Sequence, residues 1–213
     1  TTQVVESAGE AIEIPGRPTD LALSPDGKLL AVKTTGRSSM VPGIADLAFI
    51  DMDTRKVVQL LALPEGQNTF CGLAWRSDGT TVCTTDSEGF LRWARRQADG
   101  TFDWVDAIRL PGPNGKGNSA PGGIAIDERS GLVYVALSRN TPIGGVALVG
   151  KEVVAHVSVG IAPYTVLLHR YKAYVTNWGG RRPEEGDPTG PTSGSRAVVD
   201  PDTGIASTGT VTV

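Results

Sequence analysis

One short pattern occurs four times in this chain, and that recurrence limits its fold more than any single motif does. Pro18-Thr19-Asp20-Leu21-Ala22-Leu23-Ser24-Pro25-Asp26-Gly27 runs into Leu29 to Val32, and Phe70-Cys71-Gly72-Leu73-Ala74-Trp75-Arg76-Ser77-Asp78-Gly79 runs into Thr81 to Thr84. Pro121-Gly122-Gly123-Ile124-Ala125-Ile126-Asp127 then leads to Val133 to Ala136, and Pro163-Tyr164-Thr165-Val166-Leu167-Leu168 leads to Tyr174 to Asn177. Aligned on Leu21, Leu73, Ile124 and Val166, the copies are 52, 51 and 42 residues apart, a supersecondary period rather than a helical or strand one.

Within a copy, period-2 alternation and turn residues separate four short strands. In the first they are Leu21–Leu23, Leu29–Val32, Leu47–Ile50 and Val57–Leu63, joined by Ser24–Gly27, a loop with Gly36, Pro42 and Gly43, and the polar turn at 51–56. Four antiparallel strands per repeat describe a blade, so the expected fold is an all-β propeller of four-stranded antiparallel blades. The expected divisions of the single domain 1–213 are a blade tail at 1–14, whole blades at 17–64, 65–111 and 112–160, and an incomplete blade at 161–213 with a long loop, 178–209. No window carries apolar residues at helical spacing, and a two-sheet sandwich does not produce four copies of one pattern in fixed order.

The 27 Gly and 14 Pro supply turns for many short strands. A net charge of −3 with scattered basic residues gives a nucleic-acid partner no electrostatic support. No run approaches the ~18 apolar residues of a membrane-spanning helix. Thr1-Thr2 opens the chain with neither an initiator methionine nor an apolar leader, which reads as a processed or partial polypeptide. With Ser77–Thr80 as a turn, Cys83 sits opposite Ala74 and Cys71 faces the other side of the sheet, so two free, buried thiols are expected.

Tyr174-Val175-Thr176-Asn177 is identical to the tetrapeptide of the YVTN-type β-propeller repeat family, and Val133-Tyr134-Val135-Ala136 resembles a degenerate copy. Asn177-Trp178-Gly179-Gly180-Arg181-Arg182-Pro183, together with Ala197 to Gly204, resembles the insertion of bacterial propellers that precede an alkaline-phosphatase-like phosphoesterase domain. The resemblance implies a seven-bladed ring, of which this chain is an arc, and a secreted or periplasmic protein. The missing blades are then supplied by the remainder of the same polypeptide or by a second copy. A small ring closed by the N-terminal strand is the other way to use the same strands.

Catalytic motifs are absent: there is no Gly-x-Ser-x-Gly elbow, P-loop or dinucleotide fingerprint, and His156 and His169 have no metal-ligating neighbours at suitable spacing. No cofactor or metal is expected. Asp51-Met52-Asp53 and Asp200-Pro201-Asp202 read as turn caps rather than calcium ligands, and Trp75, Trp93 and Trp104 as packing between blades. In a blade, the connection between second and third strands and the link to the next blade emerge on one face. The long loops 33–46, 111–121 and 178–209 all belong to that face, which is therefore the expected binding face for a small-molecule or protein ligand. Its candidate contact residues are Arg37, Asn118, Asn140, Arg181 and Arg182. The leading expectation is a non-catalytic binding or scaffold module, and the second is a lactonase-like propeller hydrolase or the accessory propeller of a phosphoesterase.

Overall fold

The computed structural model describes residues 9–35, 46–64, 66, 68–139, 142–147, 152–192 and 194–213. Three four-stranded antiparallel sheets and one three-stranded sheet follow one another along the chain. Blade 1 is β1 (Arg17–Leu23), β2 (Leu29–Thr35), β3 (Leu47–Asp51) and β4 (Lys56–Leu61). Blade 2 is β5 (Asn68–Trp75), β6 (Thr81–Asp86), β7 (Phe90–Arg96) and β8 (Phe102–Arg109). Blade 3 is β9 (Pro121–Asp127), β10 (Leu132–Leu137), β11 (Pro142–Ala147) and β12 (Val153–Ser158). Blade 4 has β13 (Pro163–His169), β14 (Lys172–Asn177) and β17 (Thr210–Thr212), with a separate hairpin, β15 (Thr189–Pro191) and β16 (Arg196–Val198), inside the 178–209 loop. The fold is a β-propeller, and its described helical content is a single 3-10 turn at Pro113–Gly115.

Turn chemistry sets each hairpin. At 24–27 the Ser24 hydroxyl donates to Asp26 Oδ1 (2.6 Å), Asp26 accepts from Lys28 N, and Gly27 takes φ 74°. Asp78 does the same for Thr80 N and Thr81 N, with Gly79 at φ 65°. Asp51 caps Thr54 N, and Asp200 caps Asp202 N and Thr203 N, so the first carboxylate of each acidic turn is spent on its own backbone.

Blades stack through their innermost strands, β1 on β5, β5 on β9 and β9 on β13. A Cβ on Gly72 would lie 2.2 Å from Gly122 O, and one on Gly123 would lie 2.3 Å from Thr165 Oγ1, so glycine at these places lets neighbouring inner strands approach. Between blades 1 and 2, Phe49 and Phe102 stack at 4.1 Å with Trp75 edge-on to both, beside Ala31, Leu47, Leu73 and Val82. Trp93 packs with Cys83, Leu91, Ile124 and Val135 between blades 2 and 3, and Ala136, Val159, Val166 and Val175 fill the gap between blades 3 and 4. The tryptophans expected between blades, Trp75, Trp93 and Trp104, are there; Trp104 joins the first of these layers and donates to Ala62 O.

The repeat is broken at the start of the array. Leu21 and Leu23, the equivalents of Leu73 and Trp75 in the next blade, are 65% and 52% exposed, because no described blade packs against that face of blade 1. Residues 10–14 form no strand; Ile12 and Ile14 instead lie against Val32, Ala48 and Ile50.

Cys83 pairs with Ala74 in the register expected, and both cysteines are free thiols. Cys83 is fully buried, whereas Cys71 is only half-buried, because the ladder slips between Asn68 and Leu73 and turns it toward the centre of the molecule. Burial still pushes the Cys71 thiol above its ordinary value. In denaturant, both thiols are expected to take up a labelling reagent without prior reduction; in the native protein Cys71 should react slowly and Cys83 should be protected. Timed mass spectrometry of the labelled chain reads this, and labelling that requires a reductant would show it wrong.

Candidate functional site

The innermost strands of the four blades begin around one space, and the ends of the second strands close its rim. The resulting cavity is about 630 Å³. Its walls come from Arg17 of β1, Thr35 of β2, Asn68 to Cys71 of β5, Ser87 after β6 and Ala120 to Gly122 at the start of β9. Ser138 and Arg139 after β10, Ala162 and Tyr164 at β13, Trp178 after β14 and Thr192 beyond β15 complete it. Thr35, Ala120–Pro121, and Trp178 with Thr192 belong to the three long loops, so the cavity opens on the face those loops share.

Its chemistry is aromatic and basic. The ring of Tyr164 stacks on Trp178 at 4.1 Å and 13°, and Trp178 stays 67% exposed, leaving its other face open. Phe70 is equally exposed at 67%. Arg17 and Arg139 are the charged residues of the lining, and no carboxylate is among the described lining residues.

Asn68, 4% exposed, adds a buried polar group. Its Nδ2 donates to Thr34 O (3.1 Å) and to Asp46 O. Both partners are carbonyls, which fixes the nitrogen on that side and leaves Oδ1 as an acceptor without a partner among the described residues. A buried acceptor in this condition is costly unless something donates to it.

Behind this wall lies Lys33, fully buried at the middle of the blade 1–blade 2 contact. Its Nζ donates to Cys71 O (2.7 Å), Thr85 O (2.7 Å), Thr69 Oγ1 (3.0 Å) and Gly72 O (3.2 Å). Burial pulls the ammonium down to about 7, against the opposing pull of Cys71, Asp20 and Asp86. Asp20, paired with Lys33 across the β1–β2 ladder, accepts from Gly72 N (2.8 Å) and Leu21 N (2.9 Å).

The chosen residues that are described, Asn118, Arg181 and Arg182, are not in the lining. Asn118 clamps the 111–121 loop, donating to Ser87 O and accepting from Ala120 N (2.7 Å). Arg181 forms a bidentate pair with Asp187 (2.6 and 2.8 Å), which holds the Asp187 carboxyl at about 2, and Arg182 donates to Val159 O. Arg37 and Asn140 lie outside the described residues. Of what sequence reasoning missed, Trp178 carried the clearest signal, a large aromatic in a glycine-rich polar stretch directly after a strand. Asn68 and Arg17 carried none, because their place follows from a bulge and from blade stacking.

A divalent ion in the channel would need several hard oxygen ligands. Among the described residues no three of His, Cys, Asp and Glu come together, and Asp20 is committed to two backbone N–H groups. His156 and His169 are exposed on strands β12 and β13. The described residues therefore do not fit such an ion.

Solved structures share the fold at low identity. Hydrazine synthase of Kuenenia stuttgartiensis superposes with a TM-score of 0.61 at 18% identity, over 99% of this chain and 53% of that one. The RRP9 WD40 repeats give 0.59 at 13% identity, over 79% and 51%, and the Cps50 (Swd1) β-propeller domain of Myceliophteria thermophila gives 0.57 at 14%, over 76% and 54%. The chain thus spans about half the length of these structures. A comparison with curated proteins returned no match. The model of the SMP-30/gluconolactonase/LRE-like region matches residues 5–176, most of the chain. On that match, and on the blades that carry it, the chain belongs to the SMP-30/gluconolactonase/LRE-like family of β-propellers.

Proposed function

We propose that this chain is a non-catalytic binding module, and that its ligand is a small molecule combining a ring with a negative charge. One observation carries the reading: the described walls of one cavity pair exposed aromatic rings with two guanidiniums and no described carboxylate. The open face of Trp178 stacks a planar or pyranose ring, and Arg17 supplies a charge-assisted partner for an anion. The finer kinship, with YVTN-type repeats and with propellers that precede a phosphoesterase domain, belongs to this proposal. It is supported by Tyr174–Asn177 on β14 and by the 178–209 insertion, and so is a secreted or periplasmic setting.

The test is calorimetry against a panel of aryl carboxylates and sugar acids and their neutral amides or alcohols. Anionic ring compounds are expected to bind and their neutral counterparts to bind less well. Trp178→Ala is expected to weaken binding about 10-fold, the worth of one stacking contact. Arg17→Ala should reduce the preference for the anion and the salt dependence. A panel without binders, or affinity indifferent to Trp178, would overturn the proposal.

The family match favours a second reading, a lactonase-like hydrolase. Its test is hydrolysis of a sugar lactone with divalent ion and with chelator. Turnover that the chelator abolishes would replace the binding module with the enzyme.

A further inference from the structure

Strand β9 runs from the first cavity, at Pro121 and Gly122, to a second one at Ile126 and Asp127, which lies between blades 3 and 4 on the side away from the long loops. This second cavity is about 430 Å³. Its charged residues come from two hairpins that close on their own strand pairs, Asp127 and Arg129 from β9–β10 and Arg170 and Lys172 from β13–β14. Three cations against one carboxylate leave two positive charges in excess, in a chain whose net charge is −3.

The acidic residues of these turns are already engaged. Asp127 Oδ1 accepts from Arg129 N (3.1 Å), and Glu128 is turned to blade 2, where it pairs with Arg76 (2.8 Å) and accepts from Ser77 N (2.9 Å). The side chains of Arg129, Arg170 and Lys172, by contrast, donate to no acceptor among the described residues. The Arg129 guanidinium is instead held over the ring of Tyr171, 4.6 Å from its centroid, a contact that joins the two hairpins and leaves the N–H groups for an anion.

The β13–β14 turn differs from its counterparts in what it places at the left-handed position. The same turns of blades 1, 2 and 3 put Gly27, Gly79 and Gly131 there, at φ 74°, 65° and 68°, whereas blade 4 has Arg170 at φ 54°. That conformation costs an arginine energy that a glycine is spared. Burial repays neither Arg170, which is exposed, nor Tyr171 beside it, at 85%.

We propose that this cavity binds a phosphate monoester of a small molecule. Such an ester carries ~1.5 to 2 negative charges near pH 7, which matches the excess charge of the lining, and its oxygens suit guanidinium donors. The volume lies within the range of roughly 300–1,000 Å³ that takes up a whole small molecule. Ile126 and Leu168 line it beside the cations, so the carbon part of the ester has apolar contact as well.

Calorimetry of the whole chain with glycerol 3-phosphate tests this, because the probe has no ring for Trp178 to stack. The ester is expected to bind more tightly than inorganic phosphate, glycerol is expected not to bind, and affinity should fall as salt rises. Arg129→Ala and Arg170→Gly should each weaken binding about 10-fold. Arg170→Gly should keep the wild-type melting temperature, since relief of the turn offsets the freedom glycine adds to the unfolded chain. Arg17→Ala, in the other cavity, should leave binding unchanged. Absence of binding, equal affinity for glycerol or for inorganic phosphate, wild-type affinity in the Arg129 or Arg170 variant, or loss of binding in Arg17→Ala would each overturn the proposal.

Discussion

Replacing Asp86 with alanine is expected to destabilise the fold by about 3–5 kcal/mol, the scale of breaking a buried ion pair from one side. Asp86 ends β6 with its side chain fully buried, and Oδ2 pairs with Nε of Arg92, whose side chain is 7% exposed. Its Oδ1 also accepts from Glu88 N and Phe90 N, both at 2.9 Å, so the same carboxylate shapes the β6–β7 turn. Alanine leaves two N–H groups uncapped and a guanidinium without its counter-charge, in a place where Arg92 Nη2 already has no partner among the described residues. The ring of Phe90, 4.7 Å below the Arg92 guanidinium, offsets only a part of that. Asp86→Asn keeps the Oδ1 acceptor and loses the charge, so it should fall between the two. Urea unfolding followed by tryptophan fluorescence measures both. A loss below about 1 kcal/mol would mean that water reaches Arg92 and the pair behaves as a surface one.

Lys33→Met is expected to cost about 1–3 kcal/mol at pH 7 and to change how stability depends on pH. Cys71 O and Thr85 O keep hydroxyl donors from Thr69 and Thr85, but Gly72 O loses the Lys33 donor. The burial that lowers the Lys33 ammonium from 10.5 to about 7 has a definite sign. Between those two values the unfolded chain binds the proton and the folded one releases it, so wild-type stability rises with pH across that window and the gain is lost as pH falls through 7. The Cys71 thiol, pushed above its ordinary value of 9.0, works in the opposite direction only at higher pH. Unfolding free energies between pH 6.5 and 8.5 should therefore climb in the wild type relative to Lys33→Met. A constant difference between the two would show that Lys33 stays charged throughout and that its oxygen acceptors outweigh its burial.

Architecture was open to reading because propeller blades are local objects. Ser24-Pro25-Asp26-Gly27 and Ser77-Asp78-Gly79 write their turns in residues whose side chains bond their own backbone, and the alternation around Leu21, Leu73, Ile124 and Val166 writes the strands. The register that set Cys83 opposite Ala74 followed from the turn alone. Such facts depend on neighbours within a few residues, and the chain carries them in plain order.

The cavity was harder to see because its residues are far apart in sequence and meet only when blades stack. The long loops pointed to the face on which this cavity opens, yet Asn118, Arg181 and Arg182, chosen as polar contacts, brace loops through Ser87, Asp187 and Val159. A polar side chain in a long loop must satisfy that loop's own backbone and charges before it is free for a ligand, and sequence does not say which demand it meets. Lys33 shows the same limit from the other side. In the order of residues it is one cation at the polar end of a strand, and only the approach of β5 and β6 wraps it in the oxygens of Cys71, Gly72 and Thr85.

By itself, then, the sequence determined the blade, its turns, its strand order and the face on which the long loops emerge, since each rests on short-range backbone and side-chain chemistry repeated four times. Tertiary structure alone decided which leucines are covered and which groups face the channel. Leu21 and Leu73 occupy the same position of the repeat and differ eightfold in exposure, 65% against 8%, because blade 1 packs in front of Leu73 and no described blade packs in front of Leu21. Burial belongs to the neighbour as much as to the residue, and a neighbour is a fact of three dimensions.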